Sequence, residues 1–142
     1  MIVYLLDTNV ISQLAKRQPD TGVVTFMKKA KKEKSTLYLS ALTIGEINKG
    51  IAKLARYNDH QQADKLRQWQ ERLITDFVDS LLSVDVDTSI IWGEVLAATD
   101  DTNAIDKLIA ATALQYDLTL VTRNIDHVKG TGAKCVNPFI SV

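Results

Sequence analysis

Cysteine is nearly absent from the chain: Cys135 stands alone, so no internal disulfide can form. With only two histidines, His60 and His127, no His/Cys set has the spacing that zinc requires. Proline and glycine are sparse, at two and six residues in 142, which leaves no room for a linker or a low-complexity tract. No internal repeat is present, and no apolar run approaches the roughly 18 residues of a membrane span. Neither sign of charge is in excess: 17 Lys and Arg face 17 Asp and Glu, so net charge alone implies no strong nonspecific affinity for nucleic acid. The opening MIVYLLDTN has no basic stretch and meets an acid at position 7, so it reads as a buried strand and not as a signal peptide. The expected compartment is the cytoplasm, with no membrane contact. Neither a GxxxxGK[ST] nor a GxGxxG phosphate loop occurs, and no serine–histidine pairing offers a nucleophile.

What the chain does have is apolar content of 46% against 24% charged residues, which is the balance of a globular protein. At 142 residues it fits one domain, 1–142, and a chain of this size buries roughly 68% of its unfolded surface without a staple. The charges are unevenly placed. Residues 16–34 carry Lys16, Arg17, Lys28, Lys29, Lys31, Lys32 and Lys34 against Asp20 and Glu33. Residues 79–106 carry Asp79, Asp85, Asp87, Glu94, Asp100, Asp101 and Asp106 with no Lys or Arg. Such a division suits a protein that attracts phosphate and also binds cations, although a lysine run is more often a solvated helix face.

Periodicity predicts strands over 2–6, 36–40, 83–86, 118–122 and 133–136, and helices over 8–16, 21–33, 44–57, 60–82, 88–98 and 104–116. Strands alternate with helices, which favours an α/β fold with a central parallel sheet covered by helices on both faces. The pair 44–57 and 60–82 exceeds what a crossover needs and is expected to project as a contact surface.

Four acids occupy comparable places. Asp7 follows the first strand, Glu46 stands near the start of the helix after the second, Asp106 opens the helix before the fourth, and Asp126 follows the fourth. In open parallel sheets, ligands bind outside the carboxyl ends of the strands. Clustered carboxylates repel one another, and a hard cation such as magnesium or manganese relieves that repulsion and suits phosphate chemistry. Each acid has an ordinary alternative. Thr43 to Glu46 and Asn103 to Asp106 have capping-box spacing, Asp7-Thr8-Asn9 is a common helix start, and Asn124 to Asp126 could form an Asx turn. The residues alone leave both readings open.

The segments YLLDTNVIS (4–12), LSALTIGEINKGI (39–51), AIDKLIAATAL (104–114), LVTRNIDHV (120–128) and NPF (137–139) change that balance. In this order the chain resembles the PIN-domain ribonucleases, in particular the VapC/FitB-like toxins of toxin–antitoxin pairs. The resemblance implies a PIN fold, with Asp7, Glu46, Asp106 and Asp126 as acidic ligands of Mg2+ or Mn2+. It also implies supporting roles for Thr8, Asn9, Thr122 and Asn124. The implied activity is endonucleolytic hydrolysis of RNA, and the implied partners are a small antitoxin that covers or enters the site and a second copy of the chain in a homodimer. Two alternatives stand beside it: a catalytically inactive PIN-like module that binds RNA or protein, and a metal-dependent phosphatase on a Rossmann-like sheet.

Further expectations concern single residues. His127 stands where the family often has Phe; it is either a packed or solvent-exposed imidazole, the favoured role, or a site-edge group near phosphate. Asp117 replaces a common turn glycine and should tolerate a left-handed conformation. Arg123 could meet a phosphate, with pairing to a surface acid the favoured role. Lys28, Lys29, Lys31 and Lys32 are candidates for RNA backbone contact. Asp100 and Asp101 are reserve ligands, Trp92 is expected in the core, and Trp69 is expected at the core or in a partner groove.

Overall fold

The structure, a computed structural model, describes residues 2–140. Five parallel strands form its centre: β1 (Tyr4–Leu6), β2 (Leu37–Ser40), β3 (Leu81–Leu82), β4 (Thr119–Val121) and β5 (Cys135–Val136), in the spatial order β3-β2-β1-β4-β5. Six helices connect and cover them: α1 (Thr8–Ile11), α2 (Thr21–Lys32), α3 (Ala41–Arg56), α4 (His60–Asp76), α5 (Val86–Ala98) and α6 (Ala104–Gln115). The architecture is the α/β arrangement expected from the sequence.

Alternation along the strands assigns the two layers. Leu6 and Val121 point into one cluster with Val10, Ile11, Val23, Leu39, Ile47 and Ile51. Their strand neighbours Leu5 and Leu120 point to the other face, onto Ile109, Ala110 and Ala113 of α6. The small residues of α6 let that helix lie close on the sheet. On the first face α4 closes over α3 through Ala63, Leu66, Trp69 and Leu73, and Gln70 Nε2 donates to Ile44 O at 3.3 Å. Tyr57, at the tip of this helical pair, is exposed.

Several boundaries differ from the sequence expectation, four of them with a local cause or consequence. The third strand is Leu81–Leu82 and not 83–86, because the two leucines pair with Leu39 and Ser40. Asp85 is needed elsewhere: it caps α5, accepting from Thr88 N–H at 2.9 Å in a capping box. The preceding helix accordingly ends at Asp76. The third helix starts at Ala41 and not at 44, because Ser40 Oγ accepts from Leu42 N–H at 3.1 Å and caps it three residues early. The first helix becomes a 3-10 turn over Ser12–Ala15. Asp117 has φ of 52°, the left-handed conformation anticipated for it.

Candidate active site

The carboxyl ends of β1, β2 and β4 meet at one edge of the sheet, and Asp7 lies at its centre. It is the first residue past β1 and is only 5% exposed. Three donors hold its carboxylate. Thr8 N–H donates to Oδ1 at 2.8 Å, Thr122 Oγ1 donates to Oδ2 at 2.7 Å, and Asn9 Nδ2 donates to Oδ2 at 3.2 Å. Despite these bonds, burial pushes the Asp7 pKa above the ordinary 3.8, and the charges of Asp106 and Glu46 add to the rise. A charged Asp7 is therefore unwelcome where it stands unless a positive charge joins it.

Glu46 reaches this edge because α3 begins early. Being on the second turn of a helix capped by Ser40, it faces α1, and Thr8 Oγ1 donates to Glu46 Oε1 at 2.6 Å. The Thr8 and Thr43 hydroxyls are 3.0 Å apart. A hydroxyl has one proton, so with Thr8's given to Glu46, Thr43 is the donor of that second bond. Thr43 is thus a buried link between α1 and α3, and the capping box inferred from its spacing to Glu46 does not form.

Asp106 is brought in by the start of α6. Asn103 precedes this helix with φ of 51° and makes no side-chain cap, so the second suspected capping box is also absent. Asp106 Oδ2 is instead 2.8 Å from His127 Nδ1, with the side chains 26% and 43% exposed. Of the roles open to His127, the contact fits the less favoured one, a group at the site's edge: its imidazole is engaged with a site acid while the side chain stays partly in solvent. One residue on, Lys107 is 3% exposed, and its Nζ donates to Asp100 O at 2.9 Å and Oδ1 at 2.8 Å. This clamp ties the 99–103 loop to α6, and the Lys107 bond holds the Asp100 carboxyl far below its usual range. Asp100 is therefore occupied as a clamp. Lys107 had a sequence signal that went unread. It shares a helix stripe with Ala110 and Ala111, and a lysine on a buried stripe requires a partner.

Asp126 is the outlying acid. It sits exposed on a 3-10 turn over Ile125–Val128, and its carboxylate has no hydrogen-bond or ion-pair partner among the described residues. The supporting set divides as well. Thr8, Asn9 and Thr122 belong to the Asp7 network, while Asn124 contributes its backbone N–H, donated to Thr122 Oγ1 at 3.0 Å. No Asx turn forms, since the Asn124 side chain makes no cap. Arg123 pairs with no acid among the described residues; its guanidinium lies 4.9 Å from the centre of the Phe139 ring. Trp92 is half-buried and bridges α5 to α6, its Nε1 donating to Ala104 O at 3.0 Å. Trp69 packs against the first core cluster and lines a groove with Thr8, Ser12, Lys16, Glu46 and Gly50. The lysine run is not near this edge. Helix α2 descends from the carboxyl edge to the amino edge, and Lys28, Lys31 and Lys34 flank Leu37 at the start of β2.

The donor set at the carboxyl edge is oxygen-only, which fits a hard divalent ion. Burial, with the charges of Asp106 and Glu46, raises the Asp7 pKa, and a cation beside it would favour the ionised form. As placed, no three acids, histidines or cysteines among the described residues are close enough to close around an ion, because Glu46 is turned to Thr8 and Asp106 to His127.

Comparisons with known proteins agree on one family. Residues 4–131 match the PIN domain. The chain is 33% identical over 140 residues to the plasmid stability protein StbB of Pseudomonas syringae pv. tomato, covering 95% of this chain and 97% of that one. It is 32% identical over 144 residues to the VapC ribonuclease Y4jK of Sinorhizobium fredii, covering 95% and 96%. The crystal structure of FitAcB from Neisseria gonorrhoeae superposes with a TM-score of 0.84 at 30% identity, covering 96% of this chain and 98% of that one. These matches leave the Rossmann-like phosphatase reading without support. No helix among the described residues is long and apolar enough to cross a membrane.

Proposed function

Because this chain belongs to the PIN-domain family, we propose that it is the toxin of a toxin–antitoxin pair and a divalent-metal-dependent endoribonuclease. The observation that carries the proposal is the state of Asp7: buried, held by three donors, and raised in pKa beside Asp106 and Glu46. A carboxylate fixed this firmly, yet disfavoured in its charged form, is suited to an added cation.

Asp7, Glu46 and Asp106 would hold Mg2+ or Mn2+, with Asp126 joining from the rim. When bound, the ion supplies positive charge to the scissile phosphate and lowers the pKa of the attacking water. Thr8 N–H, Asn9 and Thr122 keep the Asp7 oxygens in one orientation, so that little reorganisation accompanies binding. Glu46 would complete the ligand set or orient the attacking water and accept its proton. In-line displacement of the 3′ oxygen, which takes up a proton from water as it leaves, would give 5′-phosphate and 3′-hydroxyl ends. His127, 2.8 Å from Asp106 Oδ2, would orient that carboxylate toward the ion.

The partners follow from adjoining surfaces. The groove that begins at Thr8 and Glu46 and runs to Trp69 is the place for an antitoxin segment to cover the acids. The structural relative FitAcB supports a two-component assembly. A second copy of the chain would cover exposed Val84, Val86, Ile90 and Ile105. An RNA substrate would fit a cytoplasmic enzyme.

The test pairs cleavage with metal binding. Asp7→Ala should lower RNA cleavage by at least about a thousandfold. Calorimetric titration with Mn2+ should give binding to the unaltered chain and none to the variant. Normal cleavage by Asp7→Ala would sink the assignment, and an unaltered chain that neither bound Mn2+ nor cut RNA would favour the inactive module.

A further inference from the structure

Phe139 and Arg123 form a device at the carboxyl edge that the metal-site residues do not explain. The Arg123 guanidinium carbon lies 4.9 Å from the Phe139 ring centre, within the range of a cation–π contact. The ring is itself fixed. Phe139 packs on the first core cluster, and its N–H donates to Asn137 Oδ1 at 3.0 Å. Ile140 N–H donates at 3.3 Å to Asp20 Oδ1, the same oxygen that caps α2 through Gly22 N–H at 2.8 Å. Residues 138–140 lie so flat on the first turn of α2 that a Cβ at Gly22 would stand 2.2 Å from Pro138 O.

Arg123 is equally tied at its backbone. Its N–H donates at 3.1 Å to Asn9 Oδ1, and Asn9 donates through Nδ2 to Asp7 Oδ2 at 3.2 Å. The arginine thus stands two hydrogen bonds from the central acid. An arginine laid on an aromatic face keeps its in-plane N–H groups free, and here no carboxylate takes them among the described residues. That planar fork matches the oxygens of a phosphate. An edge rich in carboxylates repels a polyanion, so a fixed cation beside it is what an RNA strand needs in order to settle there.

We infer that Arg123, positioned by the Phe139 ring, anchors a backbone phosphate of the RNA strand adjacent to the scissile one. This rests on the ribonuclease reading above and adds a substrate-binding residue to it.

The test uses the full chain, a fluorescently labelled mixed-sequence single-stranded RNA, and cleavage kinetics. Arg123→Gln should raise KM about tenfold while kcat stays within about twofold. In the non-cleaving Asp7→Asn background it should weaken RNA binding by a similar factor. The slope of log affinity against log salt should become shallower by about 0.7, the value of one lost phosphate contact on a single strand. Arg123→Lys, which keeps the charge and loses the fork, should fall between, and Phe139→Leu should raise KM about threefold. Thermal melting of Arg123→Gln should be unchanged, so a general loss of structure cannot imitate the result. An unchanged KM and salt slope in Arg123→Gln would overturn the inference while leaving the ribonuclease standing. An unaltered chain that neither binds nor cuts RNA would overturn both.

Discussion

The two edges of the sheet gather charge in opposite ways, acids at one and lysines at the other. At the carboxyl edge, Asp7 is buried and bonded to Thr8, Asn9 and Thr122, Glu46 is bonded to Thr8, and Asp106 is paired with His127. At the amino edge, Lys28, Lys29, Lys31, Lys32 and Lys34 are exposed, and none is ion-paired among the described residues. One edge is a network in which each group restricts its neighbour. The other is a set of flexible stems around the end of a helix, where cations suit the macrodipole. Burial and shared hydrogen bonds, more than charge density, separate an arrangement built for chemistry from a solvated surface.

Among the residues that support Asp7, Thr122→Val should give the largest effect, because Thr122 is fully buried and joins β4 to Asp7. Valine has the same shape but cannot donate to Asp7 Oδ2 or accept from Asn124 N–H. RNA cleavage should fall about 10- to 100-fold, the usual effect of losing a group that orients a metal ligand. Stability should fall by about 1–3 kcal/mol, since a buried acceptor loses its donor. Thr122 also holds the Asp7 pKa down, so the acid limb of the pH–rate profile should move to higher pH. Unaltered cleavage and melting in this variant would mean that the acid edge is no more organised than the lysine edge.

Asp7→Asn tests the same edge through stability, with a metal chelator present. The folded pKa of Asp7 lies above the ordinary 3.8, so the folded state binds this proton more tightly than the unfolded state. The resulting stabilisation is fully present below about pH 3.8 and is lost as pH rises through the folded value. Asparagine does not titrate, so the variant should gain on the unaltered chain as pH rises across that window, whatever the fixed cost of an amide that cannot accept all three bonds. The expected result is a Tm difference, variant minus unaltered chain, that becomes more positive from pH 4 to pH 7. A variant less stable at pH 7 than at pH 4, relative to the unaltered chain, would show that Asp7 is content in its charged form.

Much of the fold was legible, and the reason is physical. Leu5 and Leu6 in β1, and Leu120 and Val121 in β4, are apolar on both faces, and such strands belong in the middle of a parallel sheet. What escaped was local competition between neighbours. Leu81 and Leu82 read as the end of the helix over 60–82 and 83–86 as the strand, and the outcome turned on Asp85, whose use as a cap keeps 83–86 out of the sheet and leaves the two leucines to pair with β2. Ser40 and Thr43 could each cap α3, and the choice of Ser40 freed Thr43 for Thr8. Within the site, the positions of Asp7, Glu46 and Asp106 follow from strand ends and helix starts, which spacing reports well. The pairing of His127 with Asp106 crosses 21 residues and could not be read from spacing. Nor could the exposure of Asp126, which depends on how the turn after β4 is wound.

The smallest effect is expected at the amino edge. The lysines there looked like RNA contacts while only their number and their distance in sequence from Asp7 were known. Chain direction decides against it: α2 begins beside Ile140 at the carboxyl edge and ends at the approach to β2, so its last turn is carried to the far side of the sheet. An RNA strand seated at Asp7 has no reason to reach them. Replacing Lys28, Lys31 and Lys34 together by Gln should leave KM within about twofold and Tm within about 2 °C, as for exposed positions without partners. The salt dependence of RNA binding should flatten far less per charge removed than in Arg123→Gln, because these lysines act only through a field screened over about 8–10 Å. If the triple variant instead lost affinity as steeply as Arg123→Gln, the strand would have to wrap both edges, and the contrast between a built edge and a merely charged one would fail.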